Sequence, residues 1–169
     1  MSLQEINLPS TVLSGLYKNS IVTLNEEKKT AELKKESSQK FLGGNKKNIL
    51  IITKTNDAVF VTDKQLSFLS KLLEACKMNI SDVAIVNNAK EELSINGLKA
   101  AFKPKSIILF GSSPVTIKLP IEFPMFKLQE YGGCTYLYAP DLDELDSDSN
   151  EGKVLKSKLW VCLKKLFEI

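Results

Sequence analysis

The sequence predicts an α/β domain of three layers over residues 48–169, with helices on both faces of a four-stranded, mainly parallel sheet. Two observations predict it. Short apolar runs rich in β-branched residues recur at 49–52, at 83–86 and, after Ser106, through to Phe110, which is the pattern of strands buried on both faces. Between them lie segments whose leucines recur at helical spacing, and strands alternating with helices across short loops build a parallel sheet.

Ile49-Leu50-Ile51-Ile52 is the first strand. Asp63 is placed to cap a helix that carries Leu66, Leu69, Leu72, Leu73 and Cys76 on one face. Ser81-Asp82 leads into Val83-Ala84-Ile85-Val86, the second strand. A short helix from Ser94 to Phe102 stops before Pro104, and the third strand follows, ending at Gly111-Ser112-Ser113-Pro114. Residues 119–133 hold the turn formers Pro120, Pro124, Gly132 and Gly133. A fourth strand covers residues 135–138. The closing helix, residues 153–169, turns Leu155, Leu159, Cys162, Leu163 and Leu166 inward, with Trp160 on its flank.

Residues 1–47 read as an N-terminal arm and a polar tether. Val12, Leu13, Leu16 and Tyr17 fall on one face of a short helix, suited to docking in a partner's groove. Residues 25–47 carry seven lysines and four glutamates, with Gly43-Gly44 near the end. Such a segment does not build a core.

Composition excludes several chemistries. All 23 basic residues are lysine; the chain has neither arginine nor histidine. A Ser-His-Asp or Cys-His nucleophile is therefore impossible, as is a bidentate arginine clamp on phosphate. The net charge of +3 is mild for a dedicated nucleic-acid binder. Cys76, Cys134 and Cys162 are widely spaced, without a CxxC pair, so no zinc site is expected and a reducing, cytoplasmic setting is. The start, MSLQEINLPS, has no basic region followed by an apolar run, and no apolar stretch reaches membrane-spanning length, so neither a signal peptide nor a membrane span is expected.

In a parallel sheet, sites sit at the carboxyl ends of the strands. Here those ends are Thr53-Lys54-Thr55-Asn56-Asp57, Asn87-Asn88, Gly111-Ser112-Ser113 and Ala139-Pro140-Asp141. Gly111-Ser112-Ser113 lacks phosphate-loop spacing and reads as a tight turn. Lys54 and Asp57 read as a solvated couple. Residues 141–151 hold six carboxylates and no lysine; without a D-x-D-x-D-G pattern they read as an acidic loop capping the next helix. Cys76 and Cys162 lie on apolar helix faces, and Cys134, after two glycines, is expected to be accessible.

Residues 48–169 resemble the uracil-DNA glycosylase fold. The resemblance runs through Asn48 to Ile52, Val59-Phe60-Val61 with the helix after it, Ile80 to Asn87, Lys103 to Gly111, Tyr138-Ala139-Pro140, and Lys156 to Leu166 with Trp160. It implies the strand order 2-1-3-4. It also implies that Phe60 stands where the family stacks a flipped base and Asn87 where it reads the base edge. The family's catalytic loops are replaced: Lys54 stands for the water-activating carboxylate and Ala139 for the histidine. No catalytic residue, metal or cofactor is therefore expected.

The layout of arm and globular body is also similar to the psi subunits of bacterial DNA polymerase III, non-catalytic relatives that join the clamp-loader complex. That similarity implies a non-enzymatic accessory subunit with a protein partner. The alternative is a catalytically inactive domain that binds single-stranded nucleic acid or a nucleotide through Phe60 and Asn87, with lysines near Lys54 and Lys105 meeting phosphate. An active hydrolase would have to recruit Asp57 or Asp141 as its base.

Overall fold

The structure, a computed structural model, describes residues 40–169. The arm residues Val12, Leu13, Leu16 and Tyr17 lie outside the described residues.

Strands β1 (Leu42–Gly43) and β2 (Ile49–Thr53) are followed by helix α1 (Asp63–Ala75) and strand β3 (Val83–Asn87). Helix α2 (Ile95–Phe102) and strand β4 (Ser106–Phe110) come next. Strands β5 (Leu128–Tyr131) and β6 (Cys134–Ala139) precede the one-turn helix α3 (Leu142–Leu145) and the closing helix α4 (Asn150–Phe167). The sheet runs β1-β3-β2-β4-β6-β5.

The four predicted strands β2, β3, β4 and β6 are all parallel to one another. Numbered among themselves, they lie in the order 2-1-3-4. The expected four-stranded sheet is nevertheless incomplete: the sheet has six strands and is mixed, because β1 and β5 add antiparallel edges. β5 reads Leu-Gln-Glu-Tyr, without the β-branched run that marks the inner strands, and Gly132 and Gly133, both with positive φ, turn it back onto β6. β1 falls inside the lysine-rich stretch assigned to the tether. Residues 40–47 thus join the domain at its edge: Leu42 pairs with Ile85, and the Asn45 amide donates to the Val83 carbonyl at 3.0 Å. Phe41 packs edge-on against Phe102, with ring centroids 5.1 Å apart.

Alternation along the strands sorts the core into two halves. Ile49 and Ile51 of β2 face a cluster built with Leu69 and Leu73 of α1, Leu142 and Leu145 of α3, and Leu159 and Leu163 of α4. Leu50 and Ile52 face the other side, where Ile95, Leu98 and Phe102 of α2 pack with Ile117, Leu119 and Phe123. Helical cover on both faces gives three layers. Each fully buried aliphatic side chain contributes ~1.5–3 kcal/mol relative to exposure.

The start of α1 differs from expectation by one residue. Thr62, not Asp63, is the cap; its hydroxyl accepts from the Gln65 amide while the Gln65 side chain accepts from the Thr62 amide. This reciprocal pair satisfies two donors at once, which Asp63 in the first turn does not do. Cys134 is buried rather than accessible, and its thiol donates to the Pro104 carbonyl at 2.9 Å. Among the described residues no helix is long and apolar enough to cross a membrane.

Candidate functional site

From β2 the chain crosses to β3 on one side and then to β4 on the other, so the topological switch point lies between β2 and β4. The side chains there are turned inward. The Thr53 hydroxyl is shared between the Phe60 carbonyl at 3.0 Å and the Val86 carbonyl at 3.3 Å. The Thr55 hydroxyl donates to Gln65 Oε1 at 3.0 Å, and Gln65 Nε2 donates to Asp143 Oδ2 at 3.0 Å. Gly111 has φ of +64°, and a Cβ there would stand 2.6 Å from an Asp141 carboxylate oxygen. Ser112 is buried beside it, its hydroxyl without a partner among the described residues.

Asn87, at the end of β3, is 3% exposed. Its Oδ1 accepts from the Thr55 amide at 3.1 Å and the Ala89 amide at 3.0 Å. Its Nδ2 donates to the Thr55 carbonyl at 2.6 Å, with the carbonyls of Ala58 and Val59 at 3.1 and 3.2 Å. Both lone-pair directions and both protons of the amide are therefore spent on backbone groups, those of the loop that follows β2 and of Ala89 just after β3. Phe60 is half-buried. The structure brings Phe60 and Asn87 to one cavity of about 260 Å³, lined also by Val59, Lys40, Lys90 and Glu91. Lys90 reaches across to the Asn56 carbonyl at 2.6 Å.

The cavity thus contains both residues named from sequence, but with unequal freedom. Phe60 offers part of a ring; Asn87 offers no unused hydrogen-bonding group for a base edge. Lys54 and Lys105 also fail to converge. Lys54 follows the carboxyl end of β2 and Lys105 precedes the amino end of the parallel neighbour β4, which sets them about 20 Å apart along the strands at 3.3 Å per residue.

Lys54 and Asp57 do not pair. The ion pairs among the described residues are Lys64–Asp146 at 3.7 Å and Lys118–Glu92 at 2.7 Å. The Lys118 ammonium holds the exposed Glu92 carboxyl below its usual range. Ala139 is fully buried in the core with Leu142 and Leu145. Of the acidic segment, Asp141 caps α3 by accepting from the Asp143 amide at 3.1 Å, Asp143 takes the Gln65 side chain, and Asp146 meets Lys64. The organising role of Gln65 was missed from the sequence. Its signal was the Thr62-x-x-Gln65 spacing of a capping box.

No protein-family model matches the chain, and no curated protein matches it significantly.

Proposed function

We propose that this protein is a non-catalytic interaction subunit, a psi-like accessory protein of the bacterial DNA polymerase III clamp-loader complex, working in the cytoplasm on a glycosylase-like α/β body. The observation that carries the non-catalytic reading is the closure of the strand ends. Asn87, Thr55, Gln65 and Asp143 bond to the loop backbone and to one another. General acid–base chemistry needs a group within hydrogen-bond reach of a substrate proton, and these groups are held by the protein itself. Three free, buried cysteines suit a reducing compartment. The clamp-loader assignment rests on the resemblance in layout alone. Affinity capture of the tagged full chain from its native cells, read by mass spectrometry, tests it. Clamp-loader components are the expected prey; reproducible capture of a partner set without them overturns the assignment.

A second reading is favoured by the Phe60 cavity, whose lining includes Lys40 and Lys90. A single-stranded oligonucleotide or a nucleotide would stack on Phe60 and set its phosphate against the lysines. Anisotropy titration with labelled oligo-dT tests this. Binding that weakens as salt rises and is lost in Phe60→Ala supports it; binding untouched by either rejects it.

A further inference from the structure

β5 ends the strand order, so one side of its backbone has no partner strand among the described residues. Gly132-Gly133 joins it to β6 in a two-residue hairpin closed by Tyr131 and Cys134. Such a closing pair exchanges both backbone bonds, and bonding then alternates along the strand. Gln129 and Tyr131 therefore face β6, while Leu128 and Glu130 turn N–H and C=O outward. The Glu130 carbonyl is met by the Gln129 side chain at a long 3.3 Å, a contact that an incoming amide can replace.

A groove of about 480 Å³ runs between this edge and α4. Phe126, Leu128 and Val161 supply its apolar wall; Lys127, Lys158 and Lys165 also line it, and no carboxylate does. The α4 face above it reads Val154, Lys158, Val161, Lys165, spaced at four, three and four residues. Val154 and Val161 are 54% and 53% exposed. Lys158 is held with its ammonium 6.0 Å from the centre of the Phe126 ring. Neither ion pair among the described residues uses any of the three lysines.

We infer that this groove and edge take an extended acidic segment of a protein partner, added to the sheet as a strand beside β5. The inference rests on the interaction reading above for the existence of a protein partner, and it names the chemistry of that partner's contact. The open edge supplies main-chain donors and acceptors that fit another strand. The apolar wall takes alternate aliphatic side chains, and the lysines take carboxylates. Nucleic acid would leave the strand edge's hydrogen bonds unused. A second copy would bring Lys127 of its own β5 margin against the same three lysines.

The test is anisotropy of a fluorescein-labelled decapeptide alternating Glu with Val, titrated with the purified full chain. Saturable binding that weakens with salt is expected. Lys158→Glu with Lys165→Glu should weaken it about tenfold. Both sites are exposed, and a thermal melt checks that the variant is folded. If that variant does not fold, wild type decides alone: a peptide of the same sequence N-methylated at alternate amides should fail to bind. No binding, equal binding of the N-methylated peptide, equal binding to the charge-reversed folded variant, displacement by oligo-dT, or self-association that excludes the peptide would each overturn the inference. Peptide binding without clamp-loader capture would retire the partner's identity and leave this surface standing. Clamp-loader capture with no peptide binding would retire this surface alone.

Discussion

Asn87 shows how one buried amide shapes the loop at the strand ends. Its five close contacts hold the backbone of Thr55, Ala58, Val59 and Ala89. Removing the side chain leaves several of those groups without partners away from water, and each such group costs about 1–3 kcal/mol. Asn87→Ala should lower stability by about 2–4 kcal/mol in urea denaturation with an unchanged m value. An unchanged midpoint would mean that the amide is not structural and is available to a ligand. Tyr136 is the opposite case, a fully buried phenol whose hydroxyl has no hydrogen-bond partner among the described residues. The neighbouring Cys134 thiol donates to Pro104 instead. Burial pushes the Tyr136 phenol well above its usual range, with Cys134 beside it adding to the shift, and burial also raises the Cys76 and Cys162 thiols. Each raised group holds its proton more tightly folded than unfolded. Their stabilisation is therefore complete below the unfolded values, about 8.5 for Cys and about 10 for Tyr, and is lost as pH climbs past them. Melting curves from pH 7 to 11 should show Tm falling above about pH 8.5. Tyr136→Phe should match wild type within about 1 kcal/mol at neutral pH and be the more stable above about pH 10. A variant as alkali-sensitive as wild type would remove Tyr136 as a source of the loss.

At the scale of elements, the two edges of the sheet are managed differently. β1 covers the β3 edge with only two residues, and its glycine is indispensable there. Gly43 has φ of +110°, and a Cβ on it would run into the carbonyl oxygens of Val83 and Ile80. Gly43→Ala should detach β1, at about 1–3 kcal/mol, and speed amide exchange at Asn45, whose N–H is bonded to Val83. Slow exchange preserved at Asn45 would show that β1 tolerates the change. β5 leaves the other edge open, although Glu130 and the nearby Lys127 put charges along it, a common device against indiscriminate strand pairing. An edge that is charged yet bordered by an apolar groove discriminates among incoming strands by their charge.

For the molecule as a whole, the sharpest expectation is the absence of base excision. Each positioned acid or base typically contributes about 10²–10⁴-fold in rate, and the two positions that the proposed glycosylase likeness would assign to such groups hold Lys54 and Ala139 here. No uracil release from single- or double-stranded DNA is expected of wild type or of Lys54→Glu, followed by gel or chromatography over many enzyme equivalents. Ala139→His is not a route to activity either. Ala139 has no exposure and packs with Leu142 and Leu145, so an imidazole there overfills the core and buries a polar ring. Stability should drop by about 2–4 kcal/mol. Multiple turnover by wild type would overturn the non-catalytic reading outright.

Much of this architecture is legible along the chain because it depends on neighbours. The runs at 49–52, 83–86 and 107–110 are apolar on both faces and became the sheet's centre, and the leucines of α1 and α4 repeat at helical spacing and became its cover. The hairpin strand β5 and the short edge β1 carry no such local pattern. They are strands because a partner backbone lies beside them, and hydrogen bonding to that partner outweighs weak propensity. The candidate site was legible only as a set of names. Phe60 and Asn87 do share a cavity, yet whether Asn87 is free was decided by Thr55, 32 residues earlier, and the anchoring of Gln65 by Asp143, 78 residues later. The lysine-lined groove likewise joins β5 to a helix some thirty residues on. Periodicity records which face of an element is apolar; it holds no record of which distant polar group will satisfy a buried amide, and that pairing exists only once the chain has closed on itself.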